Sequence, residues 1–582
     1  MTNYKVDFIN QKKSIIVNEN VMISDACANA GFFLNHLCGG KGICGKCKVK
    51  INQNDIVSQV LACETKITGD TKIYLYEEDL KSKLTVLTDS KNRGKNSEFS
   101  TEFSKQYMHI SEIKTSYCGG YLKDASLDLY KKFSNYINEQ DLDGLTFVYC
   151  GKKLIDIQIG NTKDKIYGAA IDIGTTSVVI YIYDLNIGKH LYTYSGINKQ
   201  VSYGADVISR ILYCSKYDGA TEELSEIINL TINNLFNKAQ VELDDFIENL
   251  YNIVLCGNST MQHLFFGLRP DKLGESPFTS ITTDYITCKG EDTRLNCPDK
   301  CVVEFLPLLG GYVGADTVAV LLSINEDQEP LLIIDLGTNG EIAVGNINKY
   351  IVSSTACGPA FEGGNIEFGM RAESGAVEKF HIDSGEVFVK TIADKEPLGI
   401  CGSGIIDIVA EMLKEKILDH NGRIKSKDEF LIENGCNKLA DRLIKIDRAN
   451  SFVIYEGINK IYITQRDIRQ IQLAKSAIFA GCKAIMKKFG VDLDSIKGIV
   501  LSGAFGNYID IGNAVKIGLL PNIPIEKIKS IGNGAGNGEQ MFMCDTKMRS
   551  KCDKLVENSE HYELATDEVF MHEYIKNMNF IL

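Results

Sequence analysis

Residues 170–184 read AIDIGTTSVVIYIYD: an apolar strand runs into Asp172, a glycine and two threonines before a second apolar strand begins. A similar segment, IIDLGTNGEIAVGN, occupies residues 333–346 and places Asp335 where the first copy has Asp172. In such a hairpin the glycine lets backbone N–H groups approach a phosphate, while hydroxyls and the carboxylate address oxygens and Mg2+. One copy alone is usually an ordinary hairpin turn. Two copies in one frame predict a duplicated nucleotide-binding domain.

A third glycine-rich element lies at residues 498–510, GIVLSGAFGNYID, where an apolar strand enters a turn that should open toward a helix. Such a turn suits adenine and ribose, although tight strand-to-helix packing produces the same spacing. From Tyr167 onward, strands and glycine turns alternate with amphipathic helices such as residues 467–490, which indicates an α/β architecture. The Walker lysine loop is absent, which excludes the P-loop class as the nucleotide site.

The order of these three elements resembles the superfamily of actin, sugar kinases and heat-shock chaperone ATPases, in which two related lobes close on ATP. The resemblance covers about residues 167–540 and implies ATP and Mg2+ as ligands. Phosphoryl chemistry needs carboxylates that hold Mg2+ and orient water, and Asp172 and Asp335 are the candidates. Glu341 is a candidate for orienting the attacking water, with a strand-surface glutamate as the alternative. Thr338 and Asn339 are candidates for phosphate contact.

A cysteine-rich loop near the N-terminus has a different chemistry. It reads Cys38-GGKGI-Cys44-GK-Cys47, and a fourth cysteine follows at Cys63. Three clustered thiolates and one remote thiolate are the ligand pattern of a plant-type two-iron two-sulfur cluster, here with one extra residue in the first gap. Interspersed glycines suit a chain that wraps a cluster with its N–H groups toward the sulfurs. A zinc knot is the alternative, but zinc sites usually pair two short doublets, and Cys63 has no neighbour.

Other cysteines are weaker candidates for metal or redox roles. Cys27 lies on a predicted helix, on a face expected to be core. A set of three further thiols lacks a clear fourth ligand for a metal. A pair near the C-terminus is too small for a cluster. Two more thiols beside glycine loops could relay electrons, but small buried residues are the favoured interpretation. These sets are Cys288, Cys297 and Cys301; Cys544 and Cys552; Cys357 and Cys401.

The pattern along the chain predicts a multidomain protein of α/β and α+β units, because 582 residues exceed a single core. Residues 1–80 combine strand patterns, one helix and the cysteine loop, as in a β-grasp two-iron ferredoxin. Residues 81–107 are polar and poorly periodic and are interpreted as a linker. Residues 108–165 are expected to form a small middle domain. Residues 166–582 are predicted to form the two-lobed, actin-like (ribonuclease H-like) ATPase domain.

Composition limits the partners and the compartment. The apolar fraction of 44% and charged fraction of 24% are those of an ordinary globular protein, and no apolar run reaches the length of a membrane span. A net charge of −13 disfavours nucleic acid and anionic membrane as partners. The first residues contain no secretory signal, and 18 scattered cysteines in a large chain suit a reducing compartment. Cytoplasmic localisation is therefore expected.

The full set of motifs resembles one family, the ATP-dependent reductive activators of corrinoid proteins. Besides the cysteine loop and DIGTTS, the chain contains GNSTM from Gly257, LGGYVGADT from Leu309, DLGTNGE, SSTACGPAFEGG from Ser353, GICGSG from Gly399 and LSGAFGN. The resemblance spans nearly the whole chain, with a middle region that is short for the family. It implies one-electron reduction of inactive cob(II)amide to cob(I)amide through the cluster, driven by ATP. A roughly −400 mV two-iron centre fits a low-potential donor.

The resemblance also implies partners and nucleotide-site residues. The partners are a corrinoid protein, an external low-potential electron donor and a second copy of the chain in a homodimer. The loops around Gly358 and Gly402 face either the protein partner or the ATP cleft. The nucleotide residues carried over by motif are Asp172, Gly174, Thr175, Thr176, Asp335, Gly337, Thr338, Asn339, Ser502, Gly503 and Gly506.

Three other functions remain open from the residues. An activator of another low-potential enzyme, such as a radical dehydratase, also couples an actin-like ATPase to electron transfer, but through a four-iron cluster shared between subunits. A nucleotide-gated redox-binding scaffold would bind ATP and a partner without turnover. A metabolite kinase gives no reason for a fused electron carrier.

Overall fold

The structure is a computed structural model of the chain. It describes residues 3–30, 32, 34, 47–53, 56–75, 99–115, 122, 125–139, 141–204, 206–324, 328–337, 339–435, 438–457, 460–503, 506 and 508–580. The buried apolar side chains of these residues form four separate hydrophobic cores. Each core closes a different sheet system, as expected for a chain of this length.

The N-terminal unit is a five-stranded mixed sheet with one helix, in the order β2-β1-β5-β3-β4. Strand β1 pairs in parallel with β5, and the other neighbours are antiparallel. Alternate residues such as Val6 and Phe8 point into a core that also takes Ile23 from the helix. This confirms the predicted ferredoxin-type sheet. The elements are β1 Asn3–Phe8, β2 Lys13–Asn18, α1 Ile23–Asn29, β3 Lys48–Gln53, β4 Ile56–Leu61 and β5 Thr71–Tyr74.

A three-stranded antiparallel sheet, β6-β7-β8, follows with its own small core. Its first strand begins at Phe103, inside the segment expected to be linker, and residues 81–98 of that segment lie outside the described residues. The sheet contacts the next unit through Lys105, whose ammonium donates to Asn249 Oδ1 at 2.5 Å. The elements are β6 Phe103–His109, α2 Ile110–Thr115, α3 Leu127–Ile137, β7 Gly144–Cys150 and β8 Lys153–Ile159.

The first lobe of the large α/β unit is a six-stranded sheet in the order β11-β10-β9-β12-β14-β13. Strands β9, β10 and β11 are an antiparallel meander, and β12 and β14 continue from β9 in parallel. The strands are β9 Tyr167–Ile173, β10 Ser177–Asp184, β11 Lys189–Ile197, β12 Leu250–Gly257, β13 Ile286–Lys289 and β14 Val302–Phe305. The helices are α4 Val207–Lys216, α5 Ala220–Glu242, α6 Ser259–Phe266 and α7 Ala315–Ser323.

The second lobe repeats this arrangement. Strands β15, β16 and β17 form the antiparallel meander, and β24 and β25 continue from β15 in parallel. Asp172 and Asp335 therefore occupy the same place, next to last on the first strand of each meander. The shared topology confirms the predicted duplication. The strands are β15 Leu331–Leu336, β16 Gly340–Asn346, β17 Lys349–Thr355, β24 Gly498–Ser502, β25 Ile528–Ser530 and β26 Ser559–His561.

A long insertion and two of the four later helices belong to the second lobe, whereas the other two, residues 534–544 and 547–557, pack into the core of the first. The helix predicted near residues 467–490 begins at Gln465 behind a Thr464/Asp467 capping box and ends at Gly490, which has a φ of +88°. The insertion contains β18 Ala376–Asp383, β19 Glu386–Thr391, β20 Gly399–Ile400, α8 Gly402–Lys414, α9 Lys427–Asn434, β21 Leu443–Ile446, β22 Ala449–Glu456, β23 Lys460–Thr464 and α10 Gln465–Phe489. The later helices are α11 Ile511–Lys516, α12 Gly534–Cys544, α13 Lys547–Glu557 and α14 Glu568–Lys576.

Helix α12 follows strand β25 of the second lobe but packs on the first lobe, against β9, β12 and α7. The crossing with α7 is so close that a Cβ on Gly538 would lie 1.8 Å from the carbonyl oxygen of Ala319. The absence of a side chain at Gly538 thus brings the C-terminal helix to the back of the first hairpin. Among the described residues, no helix is long and apolar enough to cross a membrane.

Candidate functional site

The first hairpin places Asp172 at the end of β9 and the turn residues 174–176 immediately after it. The carbonyl oxygen of Gly174 accepts a 2.9 Å hydrogen bond from Asn198 Nδ2. The hydroxyl of Thr175 accepts one of 3.0 Å from Asn258 Nδ2. The backbone N–H of Asn198 donates to the carbonyl of Thr176 at 2.9 Å. Every predicted residue of this turn is therefore held by asparagines of the first lobe.

The second hairpin places Asp335 between two strands that carry predicted site residues. In the sheet register, Asp335 lies opposite Glu341 on β16 and opposite Ser502 on β24. Directly opposed residues project on the same side of a sheet, so these side chains face one cleft. The turn is closed by the N–H of Gly337, which donates to the carbonyl of Asn339 at 3.0 Å. Thr338, also predicted to touch phosphate, lies outside the described residues.

The glycine-rich turn after β24 passes directly over Asp335. Gly503 has a φ of +92°, and a Cβ there would lie 2.6 Å from Asp335 Oδ1. The N–H of Gly506 donates to the carbonyl of Gly503 at 3.1 Å and closes the turn. The hydroxyl of Ser502 lies under Gly534, where a Cβ would approach it to 2.7 Å. Space that any side chain would fill is thus kept open beside the carboxylate.

Five carboxylates lie close enough in the cleft for their charges to affect one another. They are Asp172, Asp316, Asp335, Glu341 and Glu539. Burial raises the pKa of Asp335 to about 7, and the charges of Asp316 and Asp172 add to the rise. Burial likewise raises the pKa of Asp316 to about 6. The pKa of Glu341 is raised well above its usual range by burial and then by Asp316 and Asp335. Burial and the charge of Asp172 raise the pKa of Glu539 in the same way.

A cluster of carboxylates with raised pKa values favours a bound cation, because a positive charge stabilises the ionised forms. Within the described ranges, no three His, Cys, Asp or Glu side chains converge as a ready-made metal site. Mg2+ does not need one, since it keeps several waters and takes one or two carboxylates together with substrate phosphates. The cleft therefore fits Mg2+ carried in with a nucleotide, between Asp172 on one lobe and Asp335 on the other.

Several residues of the cleft were not singled out from the sequence. Asp316 lies in the quoted motif LGGYVGADT, but its carboxylate shows its importance only when α7 brings it near Asp172 and Asp335. Asn533 caps α12 by accepting from the N–H of Gly536 at 2.9 Å, and its Nδ2 donates to Asp172. The glycine-rich run GNGAGNGEQ that contains Asn533 and Glu539 was the available sequence signal.

Two of the four predicted ligands of the iron–sulfur cluster, Cys47 and Cys63, lie among the described residues. The sulfur atoms of Cys47 and Cys63 lie 3.2 Å apart, and both residues are buried in the core of the N-terminal sheet. Two buried thiols at this distance, without a disulfide, suit joint ligation of one iron. Cys38 and Cys44 lie outside the described residues.

Among the described residues, the other cysteines are buried or partly buried. Cys27 is buried on α1, and burial raises the pKa of its thiol. Cys357 and Cys401 are buried beside their glycine loops, and Cys401 Sγ donates to the carbonyl of Val377 at 3.2 Å. Cys288, Cys297 and Cys301 come from the same edge of the first lobe but do not form a recognised metal-binding group within the described part of the chain.

The fold and the two sites define a class: a two-iron ferredoxin domain fused to a two-lobed ATPase of the actin and sugar-kinase type. Comparison with known families agrees. The model of the 2Fe-2S iron-sulfur cluster binding domain matches residues 7–68. The model of the RACo middle region matches residues 167–329, and that of the RACo C-terminal domain, the ASKHA domain, matches residues 329–581. The predicted fold class, the two-iron cluster domain and the ATPase domain are confirmed.

The chain belongs to the family of reductive activators of corrinoid proteins. It is 39% identical over 594 residues to the corrinoid activation enzyme RamQ of Eubacterium limosum, with 98% of each chain covered. It is 22% identical over 453 residues to the [Co(II) methylated amine-specific corrinoid protein] reductase of Methanosarcina barkeri, covering 71% of this chain and 77% of that one. A solved structure of a reductive activator for corrinoid, iron-sulfur protein matches with a TM-score of 0.72 at 28% identity, covering 99% and 98%.

Proposed function

We propose that this chain returns a corrinoid protein to its active state by passing one electron to cobalt, from cob(II)amide to cob(I)amide, in a reaction coupled to ATP hydrolysis. The observation that carries the proposal is the presence of a buried thiol pair of ferredoxin type and a duplicated, carboxylate-lined cleft in one chain. The full-length similarity to a corrinoid activation enzyme supports the choice of substrate.

In this proposal the cleft binds Mg-ATP between the two hairpins. Asp172 and Asp335 would hold Mg2+, which would neutralise phosphate charge, and Glu341 would orient the attacking water. The turns receive the nucleotide: Gly174, Thr175, Thr176, Gly337, Thr338 and Asn339 at the phosphates, and Ser502, Gly503 and Gly506 at the adenosine. The support is geometric, since Asp335 lies opposite Glu341 and Ser502 in the sheet, and Gly503 leaves room beside it. Such sites work by positioning and charge neutralisation.

The electron path begins at the N-terminal unit. Cys38, Cys44, Cys47 and Cys63 are proposed to hold the cluster, which when bound supplies one electron at low potential. The chain's contribution is burial: Cys47 and Cys63 lie in the hydrophobic core of a small sheet, where little protein needs to move when one charge is gained or lost. That arrangement suits an electron carrier.

ATP is needed because reduction to the Co(I) state is uphill for ordinary donors. A ligand shifts such an equilibrium only by binding two states with different affinity. We therefore propose that nucleotide binding and hydrolysis favour a form of the docked complex in which cobalt accepts the electron. Helix α7 leads from the first lobe into β15 of the second, and α12 returns from β25 to the first, so the proposed closure of the lobes acts through these two connections.

The rest of the proposal concerns organisation. An external low-potential donor reduces the cluster, the chain works as a homodimer, and it acts in the cytoplasm, with neither nucleic acid nor a membrane as partner. No disulfide joins the described cysteines, in keeping with a reducing compartment. We propose functional units at about residues 1–80, 81–107, 108–165 and 166–582, with the small sheet starting at Phe103.

The test is an anaerobic assay in which the reduced protein is mixed with a cob(II)amide-loaded corrinoid protein, with and without Mg-ATP, while the cobalt absorption spectrum is followed. Co(I) is expected only with Mg-ATP. Loss of the carboxylate in Asp335→Asn should slow Co(I) formation by about a hundredfold or more, the usual cost of removing a group that stabilises developing charge. Asp383→Asn, which removes an exposed carboxylate on β18, is the control.

ATP hydrolysis without cobalt reduction by any cognate corrinoid protein would instead favour an activator of another low-potential enzyme. Mg-ATP binding without turnover, in the presence of a docked partner, would favour a nucleotide-gated scaffold.

A further inference from the structure

A short 3-10 turn, Lys199–Ser202, lies directly behind the first hairpin. Its cap residue Asn198 bonds to the carbonyls of Gly174 and Thr176. The guanidinium of Arg210 donates to the carbonyl between them, that of Thr175. In a trans peptide the N–H of the next residue points opposite to the carbonyl. Because these three carbonyls point back toward Asn198 and Arg210, the N–H groups that follow them point forward, away from Lys199–Ser202. An anion cradle requires N–H groups that point forward in this way.

Gln200 joins these contacts into one unit. Its Oε1 accepts from Arg210 at 3.1 Å and from Asn198 Nδ2 at 3.4 Å, and its Nε2 donates to the carbonyl of Leu224 at 2.9 Å. Asn198, Gln200 and Arg210 are each 0% exposed. A displacement of the turn must therefore move the hairpin carbonyls with it, because these fully buried polar groups have no water to replace their bonds.

Arg210 is a buried cation whose partners are neutral. Its donors reach the carbonyls of Gly204 and Thr175, the amide of Gln200 and the sulfur of Met261. Within the described part of the chain, no carboxylate lies within ion-pair distance of it. Burial lowers the pKa of Arg210 to about 9, and the charge of Asp206, the cap residue of α4, opposes this only in part. Much of the field of Arg210 is therefore available to an anion on the far side of the hairpin.

The outer side of the same turn contacts the iron–sulfur unit. Helix α1 lies against Lys199–Ser202. Tyr203, which ends this turn, and Tyr213 donate to Glu223 at 3.1 and 2.8 Å, and the charge of Asp25 on α1 adds to the rise in the pKa of both tyrosines. Burial raises the pKa of Asp25, and the charge of Glu223 adds to the rise. Two carboxylates thus oppose each other across the contact, which weakens it.

We propose that α1 docks the iron–sulfur unit reversibly on the first lobe at Lys199–Ser202, and that Asn198, Gln200 and Arg210 couple this docking to the nucleotide in the hairpin. The inference rests on the proposed phosphate-binding role of residues 174–176. Bound phosphates offset the positive charge of Arg210 and add negative charge on the hairpin side of Asp25 and Glu223. Nucleotide binding therefore loosens the docked unit, which frees the electron carrier to reach its partner. By linkage, docking lowers nucleotide affinity by the same factor.

Hydrogen–deuterium exchange on the full, cluster-loaded protein tests this, with and without the non-hydrolysable nucleotide Mg-AMP-PNP. In the wild type, exchange in Ile23–Asn29 is expected to speed up about fivefold or more when nucleotide binds, the lower end of ordinary coupling between two sites. Asp25→Asn removes the opposed charges, so the acceleration should shrink to less than half. Glu223→Gln should do the same, and the double variant should show no further change, because both act on one contact.

Glu19→Gln is the matched control, since it removes an exposed carboxylate of the same unit and should respond like the wild type. The hairpin reports separately on the nucleotide. If residues 174–177 gain protection while exchange in Ile23–Asn29 is unchanged, the coupling is refuted and the nucleotide site stands. If the hairpin itself gains no protection, the nucleotide site is refuted and the coupling falls with it.

Discussion

Asn533 donates a 3.0 Å hydrogen bond to the carboxylate of Asp172, although the two residues are 361 positions apart in the chain. The same Nδ2 lies 3.2 Å from the hydroxyl of Tyr181, and the Oδ1 caps α12. One amide therefore ties the C-terminal helix to the first hairpin. Since Asn533 lies directly between β25 of the second lobe and α12 on the first, this bond fixes the connection between the lobes at the carboxylate proposed to hold Mg2+.

Replacing Asn533 by Ser separates its two roles. Serine still caps a helix, but its shorter side chain does not reach Asp172. Loss of a hydrogen bond to a buried charged group costs about 1.5–3 kcal/mol, so the melting temperature should fall modestly. The carboxylate, no longer positioned, should lower ATP hydrolysis by roughly 10- to 100-fold. The measurements are melting temperature and steady-state phosphate release. Wild-type hydrolysis in this variant would show that Asp172 needs no positioning by α12.

Gly503→Ala tests the space kept open beside Asp335. An alanine there faces a φ of +92° and a Cβ contact of 2.6 Å with Asp335 Oδ1. Gly490→Ala is the matched control, because its φ of +88° carries the same backbone strain with no atom within 4 Å of the added Cβ. Strain and overpacking of about 1–3 kcal/mol predict that only Gly503→Ala weakens Mg-ATP binding, by about tenfold or more in titration calorimetry. Equal affinities in the two variants would contradict the site.

Cys47→Ser should remove the two-iron absorption and electron paramagnetic resonance signals while leaving Mg-ATP binding intact, because the ligand lies in a core separate from that of the cleft. Cys27→Ala changes another buried thiol of the same core and should keep the cluster spectrum. Absorption spectroscopy and titration calorimetry give the two readouts. Simultaneous loss of cluster and nucleotide binding in Cys47→Ser would mean that the two units do not fold independently.

Lys105 gives the junction between the small sheet and the first lobe a predictable pH dependence. Burial lowers its pKa to about 7 from an ordinary 10.5. Between these values the unfolded lysine binds a proton that the folded one has lost, so stability rises with pH across this window and the penalty is largest below pH 7. Lys105→Met removes the titrating group. The melting temperature of the wild type should therefore rise relative to that of the variant between pH 7 and pH 10. A constant difference would refute the lowered pKa.

The sequence by itself predicted most of the architecture. The repeated Asp-x-Gly-Thr hairpins indicated the duplicated lobes, because period-two apolar strands broken by glycine are local patterns. The Cys38 to Cys63 spacing indicated the two-iron domain for the same reason, since three of the ligands lie within ten residues. The chain length indicated several domains. The net negative charge disfavoured nucleic acid and anionic membrane as partners.

Only the tertiary structure decided how these parts meet. Asp316, Asn533 and Glu539 join the cleft because α7 and α12 cross at Gly538, a contact between residues more than 200 positions apart. Arg210 and Gln200 look like ordinary helix and loop residues until burial leaves them bonded to the back of the first hairpin. Long-range packing has no period along the chain, so local patterns locate the groups that hold ligands but not the groups that position them.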